Sequence, residues 1–298
     1  MRNSSAHAEP KAPELLDWML LLGLSATWGA SFIMIKKAVG IFTPIQMTSW
    51  RMVLAFLVYI PVAIGFWSKI DWSKWKYLVG VALFGSAIPN FFFSVAQQQV
   101  ASGLAGALNA LTPLFTLLIG VSFFGMNWSR NKIIGVGIGW LGAVLLVVFS
   151  SGGDFSGKAF YAFLCVLATI CYAINANIVG TKLRGIHPAA IASSAFLLTG
   201  FFFVGVLLAN DGIEAVRHHE QGLAGLGYVL YLAAIGTVAG SIFYFWLMQR
   251  TSALFATSTT YLLPVFALFI GVLDNEQITL PQLFGTGIIL TGVYLARK

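Results

Sequence analysis

Apolar residues run along this chain in long continuous blocks separated by short polar turns. Blocks fall at about 15–35, 44–67, 77–97, 101–123, 131–149, 159–180, 188–209, 223–247, 251–273 and 281–296. Most hold the roughly 20 residues that a helix needs to cross about 30 Å of hydrocarbon, although the last is short. None shows the period-two alternation of outer-membrane strands, which excludes a barrel. The pattern therefore predicts an all-α membrane protein with ten transmembrane helices. Residues 1–14 are polar, contain Pro10 and Pro13, and read as a cytoplasmic tail. The first run is too long for the apolar core of a signal peptide and has further spans behind it, so it reads as retained.

The blocks are not independent of one another. Sliding the chain by 151 positions sets 101–121, ASGLAGALNALTPLFTLLIGV, on 252–272, SALFATSTTYLLPVFALFIGV. The register holds without a gap from Tyr77 on Tyr228 to Val121 on Val272, with 13 identities in 45 positions. A composition this apolar gives roughly 4 to 5 by chance. The chain reads as a first repeat over 15–150, a linker over 151–158 and a second repeat over 159–298. Five helices per copy is an odd number, so the second copy enters the membrane inverted. Inverted repeats are a secondary-transporter architecture, with the substrate site near the midplane where the copies meet.

Composition agrees, and charge adds orientation. Hydrophobic residues make up 58% of the 298 and charged residues 9%, with a mean hydropathy of +0.86, more apolar surface than a soluble core hides. The formal charge of +7 raises the question of nucleic acid. With the N-terminus placed inside, however, twelve Lys and Arg fall in inner segments and only Lys36, Lys37, Lys158 and Arg217 in outer ones. That is a positive-inside bias, which puts both termini in the cytoplasm and removes the case for nucleic acid. Cys165 and Cys171 share one apolar run and read as small core residues.

Depth then selects candidate chemistry. In the third run Ser86 and Asn90 lie one turn apart beside Pro89, and Thr237 and Ser241 take the equivalent places in the eighth, which also carries Tyr244. Asn109 stands above Pro113 in the fourth run, and Thr260 and Tyr261 above Pro264 in the ninth. Unpaired polar groups in hydrocarbon cost several kcal/mol, so these side chains face a wet cavity or bond to one another across helices. Their recurrence at one depth favours the cavity. Trp28, flanked by Ser25 and Ser31, is central in the first run, far from the interfacial belts, and reads as substrate contact or core. Tyr172 and Asn175 share a face of the sixth run, from which Asn177 is turned away. Pro89, Pro113 and Pro264 suit gating bends or static packing.

All ten carboxylates lie in loops or near helix ends, so none is placed as a midplane proton carrier. Exchange, or coupling through Glu276, Asp274 or Asp17 near a surface, is favoured instead. Arg51 is the one charge within a predicted span; it snorkels to the outer headgroups, recognises a carboxylate in the cavity, or holds a carbonyl. His218, His219 and Glu220 in an outer loop read as solvated, and neither a metal nor a cofactor is expected. Gly135, Gly137, Gly139 and Gly142 recur in part as Gly285, Gly287 and Gly292, marking close packing of the fifth and tenth runs within the chain or at a homodimer contact.

The WGASF run at 28–32, the proline-centred fourth and ninth runs and LDNEQITLPQLFGTGIILTGVYL at 273–295 resemble the EamA family of the drug/metabolite transporter superfamily, over nearly the whole chain. The resemblance implies ten helices in an inverted repeat, an inner-membrane location and movement of small metabolites, often outward. Some members, such as the aromatic amino acid exporters of the YddG type, have a cavity lined by helices 1, 3, 4, 6, 8 and 9. Glu276 matches a family Glu that closes the ninth helix, and the first copy departs with Gly125 in its place. Aromatic, hydroxyl and amide groups without a charge cluster suit a neutral or zwitterionic amphipathic solute, with amino acids or related compounds fitting. A drug or lipid flippase is the nearer competitor. An intramembrane enzyme would need a nucleophile with a base, or a metal set, and the midspans hold no His, Asp, Glu or Lys.

Overall fold

The computed structural model describes residues 13–125, 129–150, 158–251 and 259–297. The tail over 1–12, nearly all of the expected linker and the first part of the ninth run lie outside them. Every described element is helical. The first run is α1 (Leu15–Val39), opened by a capping box in which Glu14 and Asp17 exchange side-chain and backbone bonds. The second is α2 (Pro44–Gly65), with Thr43 and Gln46 capping each other and Pro44 in the first turn, where its missing N–H costs nothing.

Two of the later runs change their winding part-way. The third comprises α3 (Trp75–Ala82), a π segment (Leu83–Ala87) and α4 (Ile88–Ala96). A proline ring clashes with the carbonyl four residues back, and here Pro89 meets that constraint at Gly85, inside the widened turn. The fourth run is α5 (Ser102–Asn109) and α6 (Thr112–Phe123), parted by a break at Ala110 and Leu111 ahead of Pro113. Next come α7 (Arg130–Ser150), α8 (Lys158–Lys182), α9 (Pro188–Ala209) and the short α10 (Gly212–His218). The eighth run is α11 (Gly222–Leu230), a π segment (Tyr231–Ala239) and α12 (Gly240–Arg250). The chain closes with α13 (Thr259–Leu273) and α14 (Leu280–Arg297).

Among the described residues seven stretches are long and apolar enough to cross a membrane, and Lys132–Leu146, Thr259–Leu273 and Leu280–Leu295 are shorter apolar helices. Phe123, Phe201, Leu223 and Phe284 are each more than seven-tenths exposed, an outer surface that lipid rather than water would wet. The largest buried cluster joins Phe32, Phe93, Leu108 and Leu114 to Val229, Leu263 and Ile289, so the two halves share one interior.

Small residues set the closest approaches. A Cβ on Gly29, the glycine of the WGASF run, would lie 2.6 Å from Phe266 Cβ, so α1 meets α13 almost backbone to backbone. A Cβ on Gly292 would press on the backbone of Gly135 and Gly139, and one on Gly142 would sit 2.8 Å from Ile289 N. The glycine faces of α7 and α14 are thus closed on each other within the chain, while Gly137 and Gly287 look onto open space.

Candidate substrate site

Candidate residues gather in two neighbouring groups: one where α1 and α2 pack on the π segment of the eighth run, the other where α4 and α8 pack on each other beside the first π segment. Trp28 donates its indole N–H to the Gly236 carbonyl at 2.9 Å, and Tyr244 tilts against the same indole with ring centroids 5.4 Å apart. Ser31 donates to Thr27 O on its own helix (3.0 Å), and its Oγ borders the face of Gly236 that Arg51 Nη2 also approaches. Arg51 Nε and Nη2 both donate to Thr237 Oγ1, at 3.3 and 3.1 Å, and that hydroxyl in turn donates to Leu232 O at 2.9 Å. Arg51 is only 8% exposed. It does not extend to the surface, so the snorkelling reading gives way to an inward one.

Opposite stand the amides. Tyr172 donates to Asn90 Oδ1 across 3.5 Å and stacks on Phe93, with centroids 6.2 Å apart. One turn along α8, Asn175 covers Gly85, where a Cβ would come within 2.9 Å of its amide, and its Oδ1 is buried with no partner. Asn177 is turned away, as its position on the helix requires, and donates to Thr116 O at 3.0 Å. Asn109 ends α5 with its own Oδ1 buried and unpartnered, while its carbonyl accepts from Thr112 Oγ1 at 2.8 Å. Ser86 is buried in the first π segment, and Ser241 lies beside the Tyr59 hydroxyl. Ser31, Arg51, Ser86, Asn90, Asn109 and Thr237 are each no more than 9% exposed, whereas Trp28, Tyr172, Asn175, Ser241 and Tyr244 are half-buried.

Other candidates lie elsewhere. Tyr261 donates to Val293 O at 3.4 Å and so turns its hydroxyl toward α14, away from the cluster. Thr260 is half-buried in the first turn of α13, and Pro264 lies within that helix. Pro89 and Pro113 each stand in the first turn after a change of winding, the former beside Asn90. Glu276 is at one end of the molecule: Oε1 pairs with Lys36 Nζ (2.5 Å) and accepts from Ser102 N (2.9 Å), and Oε2 accepts from Ser102 Oγ (2.9 Å) and Gly103 N (3.1 Å). Burial pushes this carboxyl up, but Lys36 and the Ser102 and Gly103 N–H groups outweigh it and hold Glu276 below the ordinary glutamate range. The carboxylate caps α5. At the opposite end Arg250 binds Asp17 (2.6 Å) and Glu14 (3.2 Å). At the end of α10 His218 Nε2 lies 2.9 Å from Glu214.

Some participants carried no legible signal. The Gly236 carbonyl is a backbone acceptor, exposed to Trp28 by the π winding. Tyr231 donates to Thr27 O at 3.2 Å, yet its repeat counterpart is Gly80, so a search for recurring polar positions passes over it. A separate groove of about 500 Å3, lined by Ile138, Leu283, Phe284, Gly287 and Ile288 among others, is apolar and lies on the outer face of α7 and α14, away from this chemistry.

The model of the EamA-like transporter family matches residues 17–148 and 159–297, one match in each half. An uncharacterized inner membrane transporter, YedA, of Escherichia coli (strain K12) is 27% identical over 92% of this chain and 88% of its own. A probable amino-acid metabolite efflux pump of the same strain is 23% identical, over 94% of each chain. A solved crystal structure covers 95% of this chain and 97% of its own with a TM-score of 0.61 at 15% identity, a likeness of fold.

Proposed function

The chain belongs to the EamA-like transporter family, a multi-pass membrane protein with transporter function, and we propose that it is a secondary carrier exporting amino acids or related amphipathic compounds by alternating access. In this reading ten helices form two inverted repeats, 15–150 and 159–298, with both termini cytoplasmic and the protein in the inner membrane. Two regularities support it. The offset of 151 carries Leu83–Ala87 onto 234–238, inside the second π segment, since 83 + 151 = 234 and 87 + 151 = 238. The same offset carries buried Ser86 onto buried Thr237. The relative named as a probable amino-acid metabolite efflux pump points the same way.

The observation that carries the reading is the buried polar cluster itself. Polar side chains from α1, α2, α4 and α8 and the eighth run are gathered in the interior, and the Asn175 acceptor oxygen among them is left unpaired. A buried acceptor without a donor costs about 1–3 kcal/mol, which a folded protein retains where a ligand supplies the missing bond. Trp28 and Tyr244 provide an apolar wall for the rest of the solute. A carrier fits better than an enzyme, because the cluster offers contacts without a nucleophile and base pair.

Proteoliposomes loaded with a panel of labelled amino acids, polyamines and cationic dyes test this. Wild-type protein is expected to move at least one amino acid, with Trp28→Ala and Asn90→Ala losing most of that flux at unchanged protein level. Normal flux in both variants would reject the site. Flux of dyes alone would reject the substrate class.

A further inference from the structure

Within that carrier reading, we propose that Arg51 is the anion anchor of the substrate site, so that carboxylate-bearing solutes are selected over their amides and decarboxylated amines. The guanidinium carries five N–H donors and a permanent charge. Here it is 8% exposed, and its hydrogen bonds go to a single neutral oxygen, Thr237 Oγ1. The described ion pairs use Lys36, Lys37, Lys74, Arg217, His218 and Arg250 as cations, and none of them engages Arg51.

A buried cation with one hydroxyl for company is out of balance. Removing a charge from water costs several kcal/mol even after relaxation, and a dipole returns only part of it. Thr237 also donates to Leu232 O, so toward Arg51 it serves only as a neutral acceptor. A solute carboxylate would receive the planar fork in the geometry that guanidinium and carboxylate share.

The surroundings extend the selection beyond the acid group. Tyr172 lies within electrostatic range of the guanidinium, and beyond it stand Asn90 Oδ1 and the unpartnered Asn175 Oδ1, both acceptors. Acceptors opposite a fixed cation match a solute with an acid at one end and an ammonium at the other. The zwitterionic head of an amino acid has that form, and the Trp28 and Tyr244 rings would take its side chain. A purely structural Arg51, pinning the π segment through Thr237, would stabilise the fold without distinguishing acids from amides.

Full-length protein purified in detergent tests this with matched sets: leucine and phenylalanine, their carboxamides, and isopentylamine and phenethylamine. Affinity is read from ligand-dependent shifts in melting. Wild type is expected to bind the acids about ten-fold or more tighter than the amides, the scale of one lost charge-assisted pair. Arg51→Gln should bring that ratio near one, and Arg51→Lys should leave it between the two. Equal affinities for acids and amides in wild type would overturn the anchor whether or not the variants fold. So would an Arg51→Gln protein with normal melting and an undiminished ratio. Flux in proteoliposomes separates this from the carrier reading: amides moving as well as acids sinks the anchor alone, whereas no flux of any set sinks the carrier reading for these solutes.

Discussion

Glu276 shows how a single charged side chain can be read two ways until its partners are known. Near a membrane surface it could serve ion coupling or hold the fold, and its four contacts favour holding: Lys36, the Ser102 and Gly103 N–H groups and the Ser102 hydroxyl. Its carboxyl is held below the ordinary range, so the stability it contributes is complete above the unfolded value of about 4.3 and is lost as pH falls through the lower folded value. Glu276→Gln should therefore lower the melting temperature in detergent by the equivalent of about 1–2 kcal/mol, the scale of a lost helix cap. The difference from wild type should be constant from about pH 5.5 to 8 and shrink only in stronger acid. Transport by this variant should keep the wild-type pH profile. A profile flattened across neutral pH would make Glu276 the coupling group instead.

At the scale of whole helices, the contact of α7 with α14 depends on what is missing from it. Gly292→Ala would drive a methyl into the backbone of Gly135 and Gly139, which cannot turn aside as a side chain can. Overpacking of this kind costs about 1–3 kcal/mol. Gly287→Ala on the neighbouring face meets nothing and gains helix propensity. Melting curves should show Gly292→Ala clearly below wild type and Gly287→Ala at or above it; equal curves would mean that the pair is not closed as described. That glycine face was legible from spacing alone, as were the helix limits at Pro44, Ser102 and Pro188, where proline or a polar residue follows a loop. The π windings at Leu83–Ala87 and Tyr231–Ala239 were not legible, because apolar periodicity cannot distinguish turns of 3.6 residues from wider ones over so short a stretch. Much of the site's geometry went with them. Depth could choose Trp28, Asn90 and Thr237, but pairing Trp28 with the Gly236 carbonyl requires the widened turn. The direction of Tyr261 about α13 is likewise beyond the sequence, because it depends on packing: its hydroxyl donates to Val293 O of α14.

The proposed carrier would present one site to two sides in turn, and with Arg51, Asn90 and Thr237 buried, whole helices would part to admit a solute. The helix tied at both ends is α1. Lys36 and Lys37 join it to Glu276 and Asp274 at one end, and Asp17 and Glu14 join it to Arg250 at the other. Each end has one tie to a buried carboxylate, Glu276 or Asp17, and one looser tie. Lys37 and Asp274 are both more than a third exposed, and a pair of that kind is worth about 0–1 kcal/mol. Asp17 is 2% exposed, so parting it from Arg250 leaves a buried carboxylate uncompensated until water enters. Removing Arg250 abolishes the pair in the closed form while the hydrated open form loses little, so Arg250→Ala should shift the population toward opening at the N-terminal end of α1. A reporter is available at Ser25, fully buried between Leu21 O and Thr259 O. With Cys165 and Cys171 replaced by alanine, Ser25→Cys in inside-out vesicles should react with a membrane-impermeant maleimide several-fold faster when Arg250→Ala is present. Reaction from the opposite face, in right-side-out vesicles, should slow. Acceleration from that face instead would place the N-terminus outside and reverse the orientation proposed from the lysine and arginine bias, and equal rates on both faces would mean that the Arg250 tie does not govern opening.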